Sequence, residues 1–188
     1  MKITSAKFIK GLVGDDKILG DGIPQIAFIG RSNVGKSSLI NSLTNSKISR
    51  TSSFPGRTQE INIFLINNSF YFVDLPGYGF ARASGALREK IGELIDSYLF
   101  NSLYNQKKIV FIIDANVGFT EKDILMLNEL ENYNKNFIII ANKIDKLKQS
   151  EYQKKITDIK KIAGTHTVIP FSSKTKKGLE ALIDEIFS

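Results

Sequence analysis

The sequence predicts an α/β fold: a mainly parallel sheet flanked by helices on both faces, with one antiparallel edge hairpin. Apolar runs of strand length alternate with longer segments of helical period. Turn residues (Gly, Pro, Asn, Asp) punctuate the junctions. The chain has 188 residues, 42% hydrophobic and 24% charged, which suits a single domain with a full core. The expected organisation is one domain over 1–188, with an N-terminal strand and loop over about 1–22 and a core over 23–188.

Residues 23–29 read as the first core strand, followed by a glycine turn and a helix over about 36–43. Residues 46–57 are polar, contain Pro55 and Gly56, and read as a loop. Residues 61–66 and 70–73 read as two strands joined by Asn67-Asn68, a pair suited to a tight hairpin turn. Residues 77–85 hold three glycines and read as another loop. Leu87, Ile91, Leu94, Ile95, Tyr98 and Leu99 have helical spacing within a predicted helix over 87–103. Residues 109–113 form a buried strand, and 121–130 a helix with Thr120 and Asp123 placed as a capping box. A strand at 137–141, a lysine-rich helix at 151–163, a strand at 167–171 and a helix at 179–187 complete the order.

Composition excludes some classes. The longest apolar runs, 109–113 and 137–141, fall far short of the roughly 20 residues of a membrane-spanning helix. Residues 1–10 alternate apolar and polar and lack the core of a signal peptide, so the expected compartment is the cytoplasm. There is no Cys, hence no disulfide and no thiolate metal site. The net charge of +7 is compatible with a polyanionic partner or with a plain solvated surface.

The chemistry lies in loops at the carboxyl ends of strands, where open parallel sheets bind ligands. Gly30-Arg31-Ser32-Asn33-Val34-Gly35-Lys36-Ser37 matches GxxxxGK[ST] between a strand and a helix. Its glycines let backbone N–H groups curl around phosphate oxygens. Lys36 brings a point charge to the β- and γ-phosphates, and Ser37 a hydroxyl to Mg²⁺. Asp74-Leu75-Pro76-Gly77 follows, with Asp74 at a strand end where such an aspartate holds Mg²⁺ and Gly77 offering its N–H to the γ-phosphate.

Asn142-Lys143-Ile144-Asp145 ends a further strand. A carboxylate at Asp145 accepts from guanine N1–H and the 2-amino group, a donor pair that adenine lacks. Phe171-Ser172-Ser173-Lys174 supplies small residues through which a backbone N–H reaches guanine O6. Between the first two motifs lies Gly56-Arg57-Thr58-Gln59-Glu60, where Thr58 is a candidate Mg²⁺ ligand in a γ-phosphate-sensing loop, with Thr51 as rival. The predicted nucleotide contacts are thus Gly30 to Ser38, Gly56 to Glu60, Asp74 to Gly77, Asn142 to Asp145 and Phe171 to Lys174. Ser37, Thr58 and Asp74 are the predicted metal ligands, and Lys36, Thr58, Gly77 and Asn33 the residues nearest the reaction.

These anchors, in this order, resemble a P-loop G domain of the TrmE-Era-EngA-EngB-Septin-like class. The string from Gly30 to Asn41, the Pro55-Gly56-Arg57-Thr58-Gln59 block and Asp74-Leu75-Pro76-Gly77-Tyr78-Gly79 closely resemble the EngB (YihA/YsxC) family of bacterial GTPases. The resemblance runs from about Phe8 to the C-terminus. It implies a monomeric cytoplasmic GTPase that takes GTP and GDP, uses Mg²⁺, and acts in assembly of the large ribosomal subunit, with its rRNA as partner and no DNA expected. It also implies a link to cell division and septation. Tyr78 stands where Ras-type enzymes place a water-orienting glutamine, so slow intrinsic turnover is expected. Asn33 stands where potassium-activated relatives carry an asparagine, which makes K⁺ a second candidate cofactor beside a simple turn-forming role. The alternative reading is a slow GTP-dependent interaction module at the septum. An ATPase or nucleotide kinase fits poorly with Asn142-Lys143-Ile144-Asp145.

Other residues read as structural. His166, the only histidine, has no sequence-visible partner, Asp114 reads as a cap, and Phe8, Phe28, Phe111 and Phe137 read as core. The pairs Lys107-Lys108, Lys154-Lys155 and Lys160-Lys161, with Lys174, Lys176 and Lys177, are candidates for an RNA-facing surface.

Overall fold

The structure is a computed structural model that describes residues 2–49, 60–79 and 84–188. Among these, seven strands form one sheet: β1 (Ala6–Leu12), β2 (Gln25–Gly30), β3 (Ile61–Ile66), β4 (Phe70–Asp74), β5 (Gln106–Asp114), β6 (Phe137–Asn142) and β7 (Val168–Pro170). Five helices accompany them: α1 (Lys36–Thr44), α2 (Gly85–Leu99), α3 (Glu121–Asn132), α4 (Gln149–Ala163) and α5 (Leu179–Phe187).

The strand order is β1-β3-β4-β2-β5-β6-β7. β4, β2, β5, β6 and β7 run parallel, and their near-continuous Ile, Val and Phe content matches burial on both faces. One face packs α2, α3 and α4 around Phe111, Ile113, Ile95 and Ile156; the other packs α1 and α5 around Phe28, Ile112, Leu39 and Ile186. The hairpin β3–β4 is antiparallel, and Asn67 and Asn68 both adopt positive φ, 51° and 53°, as its tight turn requires. The N-terminal segment joins outside it: β1 pairs antiparallel with β3, so β1 forms the sheet edge, and Leu12 and Leu19 enter the core.

Three expectations shift. The helix expected over 87–103 ends at Leu99, because Ser102 Oγ and Gln106 Nε2 both donate to the Tyr98 carbonyl and draw the chain out of the helix, leaving Leu103 fully exposed. Phe8 is 48% exposed on the edge strand rather than in the core; it rests against Phe64 at 5.6 Å between ring centroids. His166 has a partner after all: its Nε2 lies 2.8 Å from Glu131 Oε1, and its ring stacks on Phe137 at 4.2 Å. Phe28, Phe111 and Phe137 are buried as expected.

Candidate functional site

The five parallel strands deliver their carboxyl ends to one rim of the sheet, and four sequence motifs arrive there together. Gly30 closes β2, and the chain turns through Arg31, Ser32, Asn33 and Val34 before Gly35 starts α1. Asn33 and Gly35 take positive φ, 65° and 98°. A Cβ on Gly35 would overlap Asn142 Nδ2, so both backbone conformation and contact demand glycine there. α1 therefore opens with free backbone N–H groups at Lys36, Ser37 and Ser38, a geometry suited to anions.

Asp74 ends β4 and is 2% exposed. Its Oδ1 accepts from Lys36 Nζ at 2.5 Å and its Oδ2 from Ser49 Oγ at 3.2 Å. Asn41 fixes Ser49 in turn, through its backbone N at 2.8 Å and carbonyl at 2.8 Å. Leu75 and Pro76 are buried, and Leu75 N donates to Phe28 O at 3.1 Å. Gly77 lies against the phosphate-loop backbone: a Cβ on it would stand 3.0 Å from Ser32 Cα and N. An Arg31–Tyr78 bridge and the Ser32 N–Tyr78 O bond at 3.0 Å hold the two loops in contact.

One buried carboxylate ties these loops to α3. Asp123 is fully buried and accepts from four donors: Arg31 Nε at 3.0 Å, Tyr78 OH at 2.8 Å, Thr120 N at 2.9 Å and Thr120 Oγ1 at 2.7 Å. The capping box read from the sequence is present, and the same carboxylate also holds Arg31 and Tyr78. Burial foremost, then the Asp123 charge, pushes the Tyr78 phenol far above its ordinary pKa. The hydroxyl is thus a neutral donor committed to Asp123.

On the other side of the phosphate loop, Asn142 ends β6 and donates through Nδ2 to Val34 O at 2.8 Å. Lys143, at φ 65°, donates through Nζ to Asn33 O at 2.5 Å and to Asp114 Oδ2 at 2.7 Å. Asp114 also accepts from Asn116 N at 3.0 Å, so its capping role holds and it orients Lys143 as well. Asp145, in the turn after Ile144, accepts from Ser172 Oγ at 2.6 Å. Phe171 is buried, and its carbonyl accepts from Ile144 N at 3.2 Å. Ser173 Oγ is buried without a hydrogen-bond partner among the described residues, and Lys174 is exposed beside it.

Gly56, Arg57, Thr58 and Gln59, with the rival Thr51, lie outside the described residues. Glu60 is exposed and turns its carboxylate onto Gly11 of β1. Lys108 leaves the set of RNA-facing candidates. Lys108 is buried and donates to Glu185 O at 2.6 Å, Glu185 Oε1 at 3.3 Å and Ser188 Oγ at 2.9 Å, where it satisfies the end of α5. Lys107 lies 5.6 Å from the centroid of the Phe70 ring.

No cluster of three or more His, Asp or Glu suited to a metal occurs among the described residues. Magnesium needs none, because it takes one or two protein oxygens and completes its octahedron with phosphate and water. The Ser37 hydroxyl and the Asp74 carboxylate are the hard oxygen donors that suit such a site.

A family model described as "50S ribosome-binding GTPase" matches residues 25–143. The "Probable GTP-binding protein EngB" of Clostridioides difficile strain 630 is 43% identical over 190 residues, spanning 99% of this chain and 93% of the relative. The chain belongs to the EngB family. It is a GTP-binding, GTP-hydrolysing P-loop protein. The protein of the same name from Lactobacillus helveticus is 44% identical over 94% of this chain and 92% of its own length. Among solved structures, a crystal structure of a probable GTP-binding protein engB matches with TM-score 0.73 and 28% identity, over 87% of this chain and 96% of that one. Era in complex with MgGDPNP and a 16S ribosomal RNA segment matches with TM-score 0.68 and 29% identity, over 87% of this chain and 55% of that one.

Proposed function

We propose that this EngB-family GTPase is a switch in assembly of the large ribosomal subunit, cytoplasmic and monomeric, acting as one domain over 1–188 with a link to division and septation. The description of the matching family model, a 50S ribosome-binding GTPase, carries the reading. Among the described residues no helix is long and apolar enough to cross a membrane, in keeping with that setting.

The geometry around the phosphate loop supports the following assignment of roles. The N–H groups from Gly30 to Ser38 cradle the phosphates, and Lys36 turns its ammonium from Asp74 to the β- and γ-phosphate oxygens. Ser37, Asp74 and Thr58 would hold magnesium, which would supply charge neutralisation at the phosphates. Ser49 keeps Asp74 oriented as Lys36 shifts. Gly77 aims its N–H at the γ-phosphate, and its contact with the Ser32 backbone fixes the approach. Asp145 selects guanine, Lys143 lays its stem along the base, and the unpartnered Ser173 hydroxyl and the Ser172–Lys174 backbone provide polar groups at the base edge. Asn142 and Lys143 brace the phosphate loop through Val34 and Asn33, so base recognition and phosphate binding share one scaffold. Asn33 is the candidate K⁺ ligand.

Hydrolysis transfers the γ-phosphoryl group of GTP to water and releases GDP, and no side chain among the described residues takes the place of a water-orienting glutamine. Tyr78 is held by Asp123 and stays protonated. Turnover of the free protein is therefore slow, at most about 10⁻² s⁻¹. Multiple-turnover hydrolysis with large or small ribosomal subunits added tests the reading. Large subunits alone should raise the rate; equal indifference to both would favour the septum-linked module.

A further inference from the structure

The charge of this protein is not spread evenly. Residues 143–177 contain ten lysines and three acidic residues, a net of +7, which equals the net charge of the whole chain. The remaining residues are balanced. The structure gathers this stretch into one face built from α4 and the loops after β6 and β7. The Ile144 N–Phe171 O and Ser172 Oγ–Asp145 bonds join the two loops, and Lys177 Nζ lies 5.1 Å over the Tyr152 ring of α4.

The lysines on this face keep their charge free. Among the described residues only Lys143 has a carboxylate within 4.0 Å. Lys155 and Lys176 donate to neutral oxygens, of Asn116 and Asn45. Lys146, Lys148, Lys154, Lys160, Lys161 and Lys174 are exposed. Elsewhere Lys10, Arg31, Lys36 and Lys108 are paired with carboxylates, and lysines without a carboxylate partner among the described residues, such as Lys2, Lys7, Lys17 and Lys90, are balanced by acidic residues in the same part of the sequence.

The position of the face matters as much as its charge. The γ-phosphate-facing Gly77 follows β4, whereas the lysine face sits at β6 and β7, three and four strands away. At about 4.8 Å per strand this is roughly 14–19 Å. The Debye length at physiological salt is about 8 Å, so the charge of a γ-phosphate is largely screened there. The adjacent loops are those proposed to hold guanine, which GTP and GDP share.

We propose that α4 and the loops after β6 and β7 form an RNA-docking surface that acts independently of the bound nucleotide. It is a constant electrostatic anchor, and γ-phosphate sensing near Gly77 adds to it. The choice of RNA rests on the ribosome-assembly reading. The face also lacks the broad apolar stripe of a membrane-binding helix; Ile162, 45% exposed, is the large hydrophobic residue that α4 exposes.

The test compares the wild type with a quadruple variant, Lys148→Gln, Lys154→Gln, Lys160→Gln and Lys161→Gln. A control removes equal charge elsewhere through Lys2→Gln, Lys7→Gln, Lys17→Gln and Lys90→Gln. Two probes are used across a salt series, each with GTP analogue or GDP bound: a fluorescent RNA hairpin by anisotropy, and large ribosomal subunits by co-sedimentation. On the hairpin, the face variant should lose about 0.7–0.9 units of log K against log salt for each lysine that meets a phosphate, and the control variant should not. The slopes should be the same in both nucleotide states. Intrinsic GTP hydrolysis by the face variant should match the wild type, which establishes that it is folded. Equal slopes for face variant and wild type would overturn the surface, and slopes that differ with nucleotide would overturn its independence. Stronger face-dependent binding to phosphatidylserine vesicles than to the hairpin would overturn RNA as the partner. Face-dependent hairpin binding without any binding to large subunits would overturn the ribosome reading and leave the surface standing.

Discussion

Asp123 offers the sharpest test of how the two phosphate-side loops are held. Its buried carboxylate accepts from Arg31, Tyr78 and Thr120, the last through both backbone and side chain. Asp123→Ala removes the capping box, at about 1 kcal/mol. It also strands the half-buried Tyr78 hydroxyl, at about 1–3 kcal/mol. Arg31 is 24% exposed, so water replaces part of its lost partner and its share is under about 1 kcal/mol. The sum is about 2–5 kcal/mol, overlapping the range for breaking a buried charged pair. At this chain length each kcal/mol moves Tm by about 2–4 °C, so a fall of about 10 °C is expected. Tyr78→Phe leaves Asp123 three donors and should cost only about 1 kcal/mol. The double variant should be less harmful than the sum of the singles by about 1–2 kcal/mol, because no stranded hydroxyl remains. Urea unfolding followed by circular dichroism measures each corner of this cycle. Hydrolysis by Tyr78→Phe should stay within about threefold of the wild type, or under about 0.7 kcal/mol of barrier. Strict additivity, or a tenfold loss of rate in Tyr78→Phe, would refute the assignment of Tyr78 to a structural clamp.

Three further perturbations probe the nucleotide site. Asp145→Asn should weaken GTP binding by several kcal/mol in order of magnitude and favour xanthosine triphosphate, whose 2-carbonyl accepts from an amide; nucleotide competition decides it, and an unchanged preference would remove Asp145 from the base pocket. Lys36→Ala should abolish tight binding of both nucleotides, whereas Thr58→Ala should weaken GTP–Mg²⁺ more than GDP–Mg²⁺; equal losses would shift the metal role toward Thr51. Replacing K⁺ by Na⁺ should slow hydrolysis if Asn33 ligates the ion, and Asn33→Ala should erase the difference; a rate indifferent to the monovalent ion contradicts the K⁺ site alone.

The sequence was most informative where local chemistry and periodicity agree. The β2–α1 turn, the Asn67-Asn68 hairpin and the Thr120–Asp123 box could all be read directly, because each depends on residues close in sequence. What escaped detection depends on distant pairs. Asp123 meets Arg31 across 92 positions, and Ser49 meets Asp74 across 25, and neither pairing leaves a periodic trace. Lys108 read as surface because its charge is visible in the sequence and the end of α5 that receives it is not. The helix end at Leu99 was overrun because Leu103 continues the apolar spacing, although side chains of Ser102 and Gln106 close the helix at Tyr98. Edge strand β1 was legible as alternation, but its pairing with β3 required the topology.

The central proposal, a nucleotide-controlled association with the large ribosomal subunit, is tested most directly by co-sedimentation at one fixed salt concentration. Purified large subunits are pelleted with the protein bound to a non-hydrolysable GTP analogue or to GDP. Retention in the GTP form should be at least about tenfold tighter than in the GDP form, a coupling of about 1.4 kcal/mol. Equal affinity in the two states, or no binding in either, would contradict the proposal.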